Sequence, residues 1–158
     1  MLEIYVDGDA CPVKDEVERV ATRHALPVTI VSNGGLRPSR NPSIRHMTVA
    51  AGADAADDWI AEHAGEGDIV ITADIPLASR ALAKKVRVLR PNGEPFTEAG
   101  IGMALGRREL SRHIRELTPG GQTHHAGFSK QDRSRFLNTL ENEIQAIKRS
   151  FAARPPQA

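Results

Sequence analysis

The sequence predicts an α/β fold, a mainly parallel five-stranded sheet with helices on both faces. Five short runs rich in β-branched residues are separated by stretches with helical spacing. The runs are apolar throughout instead of alternating, as strands buried on both faces are. At 158 residues, 40% hydrophobic and 26% charged, the chain has the size and composition of one ordinary globular domain. Residues 1–150 are expected to form that domain, and 151–158 a flexible tail.

The elements follow in order. Leu2 to Val6 reads as a buried strand that stops at Asp7-Gly8-Asp9. Pro12 can open a helix, and 13–25 carry Val13, Val17, Val20 and Ala21 on one face before Pro27. Val28 to Val31 is a second strand, closed by the turn Ser32-Asn33-Gly34-Gly35. Residues 36–45, with two prolines and three arginines, read as a loop, and His46 to Val49 as a short third strand. Asp54 precedes a helix to about Ala64, with Ala56, Trp59 and Ile60 as its apolar face. Asp68 to Thr72 is a fourth strand, Ile75 to Lys85 a helix, and Val86 to Leu89 a fifth strand halted by Pro91-Asn92-Gly93. Thr97 can cap a helix reaching about Leu117. A Gly-rich loop follows from Thr118 to Phe128. Ser129 can cap a last helix bearing Phe136, Leu137, Leu140, Ile144 and Ile147.

Composition narrows the function classes. No stretch approaches the ~20 apolar residues of a membrane helix, so no membrane partner is expected. The start lacks a basic leader, and the single Cys11 suits a reducing cytoplasm. Residues 1–95 hold 11 Lys and Arg against 14 Asp and Glu, a net −3; residues 96–158 hold 10 against 6, a net +4. Such asymmetry fits an acidic metal site beside a polyanion-binding surface, or ordinary surface variation.

Acids carry the main chemical signal. Asp7 ends the first strand, with Asp9 two residues on, and Asp74 follows the fourth. Asp54, Asp57 and Asp58 open the helix after the third. In a parallel sheet with right-handed crossovers, the carboxyl ends of the strands share one edge, where ligands bind. These acids would meet there and repel one another, which raises pKa values. A hard divalent cation relieves that cost, and an all-oxygen donor set suits Mg²⁺ or Mn²⁺. Asp7, Asp9 and Asp74 are the candidate catalytic residues, and all six acids candidate ligands. Of Asp57 and Asp58, one should point at the site and the other to solvent. Taken singly, each acid could instead be a helix cap or turn residue.

Phosphate contacts have their own candidates. The turn Ser32, Asn33 and Gly34 could offer backbone N–H groups. Arg37, Arg40 and Arg45 crowd one loop, and Arg108, Arg112 and Arg115 share one helical face. Arginine suits phosphate through its planar fork. Aromatic platforms for bases are scarce, which favours backbone contacts over base reading. Cys11 reads as a packing residue, and the pair His124-His125 as a loop touching substrate or solvent.

The segments IYVDGDACPVK, SNGG, GADAADDWI and DIVITADIPLA, with RPNGEPFTEAGIGMAL and FSKQDRSRFLNTLE later on, resemble the YaiI/YqxD family of uncharacterised bacterial proteins. The likeness runs from Leu2 to about Ile147. That family is similar in turn to the PIN-like superfamily, whose nucleases use a strand-end Asp, helix-start acids and a Thr-x-Asp after strand four. Asp7, Asp54, Asp57 or Asp58, and Asp74 fall on those positions. The resemblance implies a PIN-like three-layer sandwich with strand order 3-2-1-4-5. It also implies a nuclease dependent on Mg²⁺ or Mn²⁺ and acting on nucleic acid, RNA foremost. The chain departs from the PIN pattern by the extra Asp9, and by lacking an evident acid between the first and third motifs.

Two other readings compete. One is a non-catalytic module that binds nucleic acid or protein. The other is a haloacid-dehalogenase-like phosphatase with Asp7 as nucleophile and Asp9 as acid. That chemistry also needs a Lys before the later acids, and only Lys14 precedes Asp74.

Overall fold

The computed structural model describes residues 2–34, 39–50, 54–102 and 128–153. Its elements are β1 (Ile4–Asp7), a 3₁₀ turn (Gly8–Ala10), α1 (Lys14–Arg23), β2 (Val28–Ser32), β3 (Ile44–Thr48), α2 (Ala55–His63), β4 (Ile69–Ile71), α3 (Ile75–Ala83), β5 (Arg87–Leu89) and α4 (Lys130–Ala153). The five strands form one parallel sheet in the order β3-β2-β1-β4-β5. The expected fold class and strand order are therefore those of the protein.

Alternation along the strands sorts the core into two layers. Ile4 and Val6 of β1, with Ile69 and Ile71 of β4, meet Val17, Val20 and Ala21 of α1 and Phe136, Leu140 and Ile144 of α4. Tyr5, Val31, Val70 and Val88 meet Ala56 and Ile60 of α2 and Leu77, Ala78 and Ala81 of α3. Three layers result, with β1 at the centre of the sheet. Asp7 has the same parity as Tyr5, so its place on the pleat belongs to the α2/α3 side.

Boundaries differ from the sequence reading for identifiable reasons. α1 and α3 both stop two residues before the end that their apolar spacing predicts. Each closes in a Schellman motif. Leu26 N–H donates to Ala21 O (2.9 Å) and Ala25 N–H to Thr22 O (3.1 Å); Val86 N–H donates to Ala81 O (3.1 Å) and Lys85 N–H to Leu82 O (2.9 Å). The left-handed position holds Ala25 (φ 55°) in one and Lys85 (φ 63°) in the other, so no glycine marks either stop. β3 begins at Ile44, inside the segment read as a loop. Ile44 is buried and pairs with Val28, while Arg45 turns outward.

α4 opens as expected at Ser129. Asp132 N–H donates to Ser129 Oγ (3.1 Å) and Ser129 N–H donates back to Asp132 Oδ2 (2.9 Å), a reciprocal cap. The helix runs to Ala153, three residues into the segment assigned to a tail. Phe151 explains the extension. Its ring covers Gly67, where an added Cβ would stand 2.6 Å from Phe151 Cζ. Residues 98–102 are helical, with Gly100 N–H capped by Thr97 Oγ1 at 3.0 Å; the remainder of that expected helix lies outside the described residues. No helix among the described residues is long and apolar enough to cross a membrane.

Candidate functional site

The carboxyl edge of the sheet is built around Thr72. This buried hydroxyl donates to Asp7 Oδ2 at 3.0 Å and accepts the Asp74 N–H at 3.0 Å. It thereby fixes the end of β1 against the start of α3. Asp74 is the N-cap of α3, its Oδ1 accepting Leu77 N–H at 2.8 Å. The cap engages one carboxylate oxygen.

Burial pushes the Asp7 carboxyl above its ordinary pKa, and the charges of Asp74 and Asp9 add to the shift. The Thr72 hydroxyl and the Asp9 N–H, both bonded to Asp7, oppose it. Asp57, in the first turn of α2, is pushed up to about 6. Burial is again the largest cause, followed by the charges of Asp74, Asp7, Asp54 and Asp58. Acids from β1, α2 and α3 thus converge within reach of one another's fields.

The remaining acids divide. Asp54 occupies the N-cap position of α2 without a side-chain cap bond and is exposed. Asp58 is exposed and pairs with Arg80 Nη1 at 2.7 Å, while Asp57 is half-buried. Asp57 is thus the more buried of the two, and both line one cleft. A cleft of about 280 Å³ lies between α2 and α3, lined by Asp54, Asp57, Asp58, Asp74, Pro76, Leu77 and Arg80. Neither Asp7 nor Asp9 lines it; Asp7 adjoins it through Thr72, and Asp9 is turned to another partner. Its two oxygens sit 3.1 and 3.3 Å from the Asn33 N–H.

Among the described residues, no three His, Cys, Asp or Glu side chains are gathered closely enough to enclose a metal ion. The donor chemistry still fits Mg²⁺. That ion demands octahedral geometry, keeps several waters and is usually held by one or two carboxylates. Asp7, Asp57 and Asp74 are the acids available for this.

Other sequence candidates fare differently. The phosphate role for Ser32, Asn33 and Gly34 meets a competitor. Asn33 N–H is taken by Asp9, and Gly34 N–H donates to Ser32 Oγ at 3.3 Å. Arg40 is exposed. Arg37, Arg108, Arg112, Arg115 and the pair His124-His125 lie outside the described residues. Cys11 is buried, and burial pushes its thiol up to about 11. That is the state of a packing residue and not of a thiolate nucleophile. Thr72 and Arg80 are site residues that the reading of the residues missed. Thr72 reads by residue type only as the last residue of the fourth strand, and Arg80 as one residue of the helix Ile75 to Lys85.

The profile of an uncharacterised bacterial family, YaiI/YqxD, matches residues 5–146, which include all six acids. The chain belongs to the YaiI/YqxD family. Relatives include a UPF0178 protein of Parvibaculum lavamentivorans, 58% identical over 158 residues and spanning 99% of both chains. Another, UPF0178 protein mlr0875 of Mesorhizobium japonicum, is 56% identical over 147 residues, 93% of this chain and 94% of its own. A third, from Ruegeria pomeroyi, is 55% identical over 150 residues, covering 94% and 97%. No solved structure gives a significant match to this YaiI/YqxD chain.

Proposed function

We propose that this YaiI/YqxD protein is a PIN-like nuclease that hydrolyses phosphodiesters, RNA foremost, with Mg²⁺ or Mn²⁺ held at the carboxyl edge of its sheet. One observation carries the reading. Asp57 is half-buried, accepts no hydrogen bond from the described residues, and faces four other carboxylates. An acid so placed costs stability unless a cation occupies the cleft. The sheet order, 3-2-1-4-5, is the one the PIN-like resemblance implies.

In this reading Asp7 and Asp74 hold the ion, and Thr72 sets the distance between them. A bound divalent cation supplies a water of lowered pKa and neutralises charge developing on the phosphate. A cation beside Asp57 offsets the carboxylate repulsion that raises its pKa, so Asp57 stands there as a carboxylate able to orient a bound water. The phosphatase reading is weaker, because the Asp9 carboxylate is engaged by Asn33.

The test is calorimetric titration with Mn²⁺ beside a cleavage assay on RNA and DNA panels. Asp7→Asn should lose at least about tenfold in Mn²⁺ affinity, the lower end of what even outer-shell groups cost, and should abolish cleavage. A folded parent that neither binds Mn²⁺ nor cuts any substrate would sink the nuclease. The non-catalytic binding module would then stand, with Asp74 as a helix cap, Asp58 as an ion-pair partner and Asp9 as a turn lock.

A further inference from the structure

The cleft between α2 and α3 presents a polyanion with a difficulty, because four of the seven described residues that line it are aspartates. Among those described residues one is a cation. Arg80 reaches across from α3 and pairs with Asp58 of α2 at 2.7 Å. We infer that Arg80 is the phosphate-gripping residue of this cleft, and that Asp58 is its holder and not a metal ligand. The inference rests on the metal-site reading of the same cleft and names its substrate contact.

Geometry comes first. Asp74 caps α3, and Pro76, Leu77 and Arg80 follow on the side of the helix that lines the cleft. Pro76 and Arg80 are one turn apart, so Arg80 lies one turn beyond the acids at the edge. Asp54 and Asp58 are likewise one turn apart on α2. Asp54 and Asp74, at the starts of the two helices, therefore mark one end of the cleft, and the Asp58–Arg80 pair lies one turn further along. A phosphodiester chain with one phosphate near Asp74 could set a neighbouring group against Arg80. The cleft, about 280 Å³, falls just below the range of whole small-molecule sites, roughly 300–1,000 Å³. It suits a segment of a longer chain.

Exchange is the second argument. The Arg80 side chain is 48% exposed and that of Asp58 56%. An ion pair this open contributes little and is easily traded. A guanidinium offers phosphate the same two parallel donors that it offers a carboxylate. Asp58 thus keeps Arg80 extended over the cleft and surrenders it to an incoming phosphate.

The experiment titrates a short fluorescein-labelled oligouridylate by anisotropy, with and without Mn²⁺, and titrates Mn²⁺ alone by calorimetry. Arg80→Ala should weaken oligonucleotide binding about tenfold, the scale of one charge-assisted bidentate contact. It should also flatten the salt dependence of log affinity by about 0.7, one contact's worth on a single strand. Arg80→Lys should restore the salt slope but only part of the affinity. Asp58→Asn should tighten oligonucleotide binding and lower Mn²⁺ affinity far less than Asp7→Asn does, by no more than the loss of one neighbouring charge. Both residues are exposed, so these variants should fold, which thermal melts check.

If Arg80→Ala matches the parent in affinity and salt slope, or the parent binds no oligonucleotide under either condition, the inference is overturned. Loss of Mn²⁺ binding in Asp58→Asn overturns the holder role. Intact Mn²⁺ binding with an indifferent Arg80 leaves the metal site standing without this contact. Absent Mn²⁺ binding with an Arg80-dependent oligonucleotide affinity sinks the nuclease and keeps the phosphate grip.

Discussion

Both ends of β1 gather half-buried carboxylates on the α2/α3 side of the sheet, and only one end satisfies them. At the amino end Glu3 accepts Thr29 Oγ1 at 2.8 Å on one oxygen and Tyr5 Oη at 2.9 Å on the other. Asp68 beside it accepts Glu3 N–H at 3.0 Å and Gly65 N–H at 2.9 Å. Four carboxylate oxygens meet four donors. At the carboxyl end Asp7 shares one hydroxyl and one N–H, Asp74 spends one oxygen on a cap, and Asp57 accepts nothing from the described residues. Charge at the amino end builds the fold. At the carboxyl end it is left over, which is the imbalance that the proposed cation would relieve.

The comparison breaks most visibly at the amino end. Glu3→Ala leaves the buried Thr29 hydroxyl without its acceptor, and Tyr5 Oη with only a long contact to His63 O at 3.4 Å. Each stranded group costs about 1–3 kcal/mol. The expected loss is about 3 kcal/mol in urea unfolding, with no change in Mn²⁺ affinity. A loss under about 1 kcal/mol would mean that the two hydroxyls find other partners, and would remove the contrast between the ends.

Thr72→Val tests the joint between the two regimes. The substitution keeps the shape of a 2%-exposed side chain and removes the hydroxyl that bridges Asp7 and the Asp74 N–H. One N–H loses its acceptor and one carboxylate its donor, so about 2 kcal/mol of stability should go. Asp7 should titrate higher still, because the Thr72 bond is what holds its pKa down. Unlike Glu3→Ala, this variant should also lose Mn²⁺ affinity, by roughly tenfold or more, as outer-shell partners of ligands do. An unchanged Asp7 titration by carboxyl NMR would show that the bond has no electrostatic role.

Much of this contrast was legible in the sequence. Strand-end acids stand out because Asp is a poor strand residue and Asp7, Asp54 and Asp74 each follow an apolar run. The parallel sheet then dictates where they meet. Donors at either end were not legible. Thr29 sits inside an apolar strand and Thr72 at the end of one; by residue type both are ordinary β-branched strand residues, and only the Thr-x-Asp resemblance sets Thr72 apart. Whether a hydroxyl bonds a carboxylate 26 or 65 residues away depends on strand register. The helix stops at Ala25 and Lys85 escaped for a related reason, since the left-handed residue in each carries a side chain where glycine is the usual signal. Helical spacing could say only that one of Asp57 and Asp58 faces the site; which one, and the pairing of Asp58 with Arg80, are tertiary facts. The arginine-rich segment at 107–115 lies outside the described residues, and its phosphate role stays with the binding experiments.

The smallest expected effect has the opposite sign and sharpens the comparison most. Asp57→Asn should stabilise the metal-free protein. The folded pKa is raised from 3.8 to about 6, so between pH 4 and 6 the folded state holds a proton that the unfolded chain has released. Stability must then fall as pH rises through that window, because there the native state binds more protons than the unfolded one. Below pH 4 both states are protonated, and the full contribution of this group is present. Above pH 6 both are ionised, and the contribution is lost. Asp57 keeps part of its surface in solvent, so solvent screening reduces the bare linkage value to about 1 kcal/mol. Urea midpoints of the parent should therefore decline from pH 4 to pH 6 relative to Asp57→Asn, and the two should differ by that amount at pH 7. Adding Mn²⁺ at pH 7 should reverse the order, since binding to the native state stabilises it by mass action and the variant has lost a charge from the site. At the amino end no such reversal can occur, because Glu3 and Asp68 have donors in place whatever the metal. A parent that gains nothing from Mn²⁺ at pH 7, while Asp57→Asn remains the more stable, would mean that the leftover charge at the carboxyl end serves no cation.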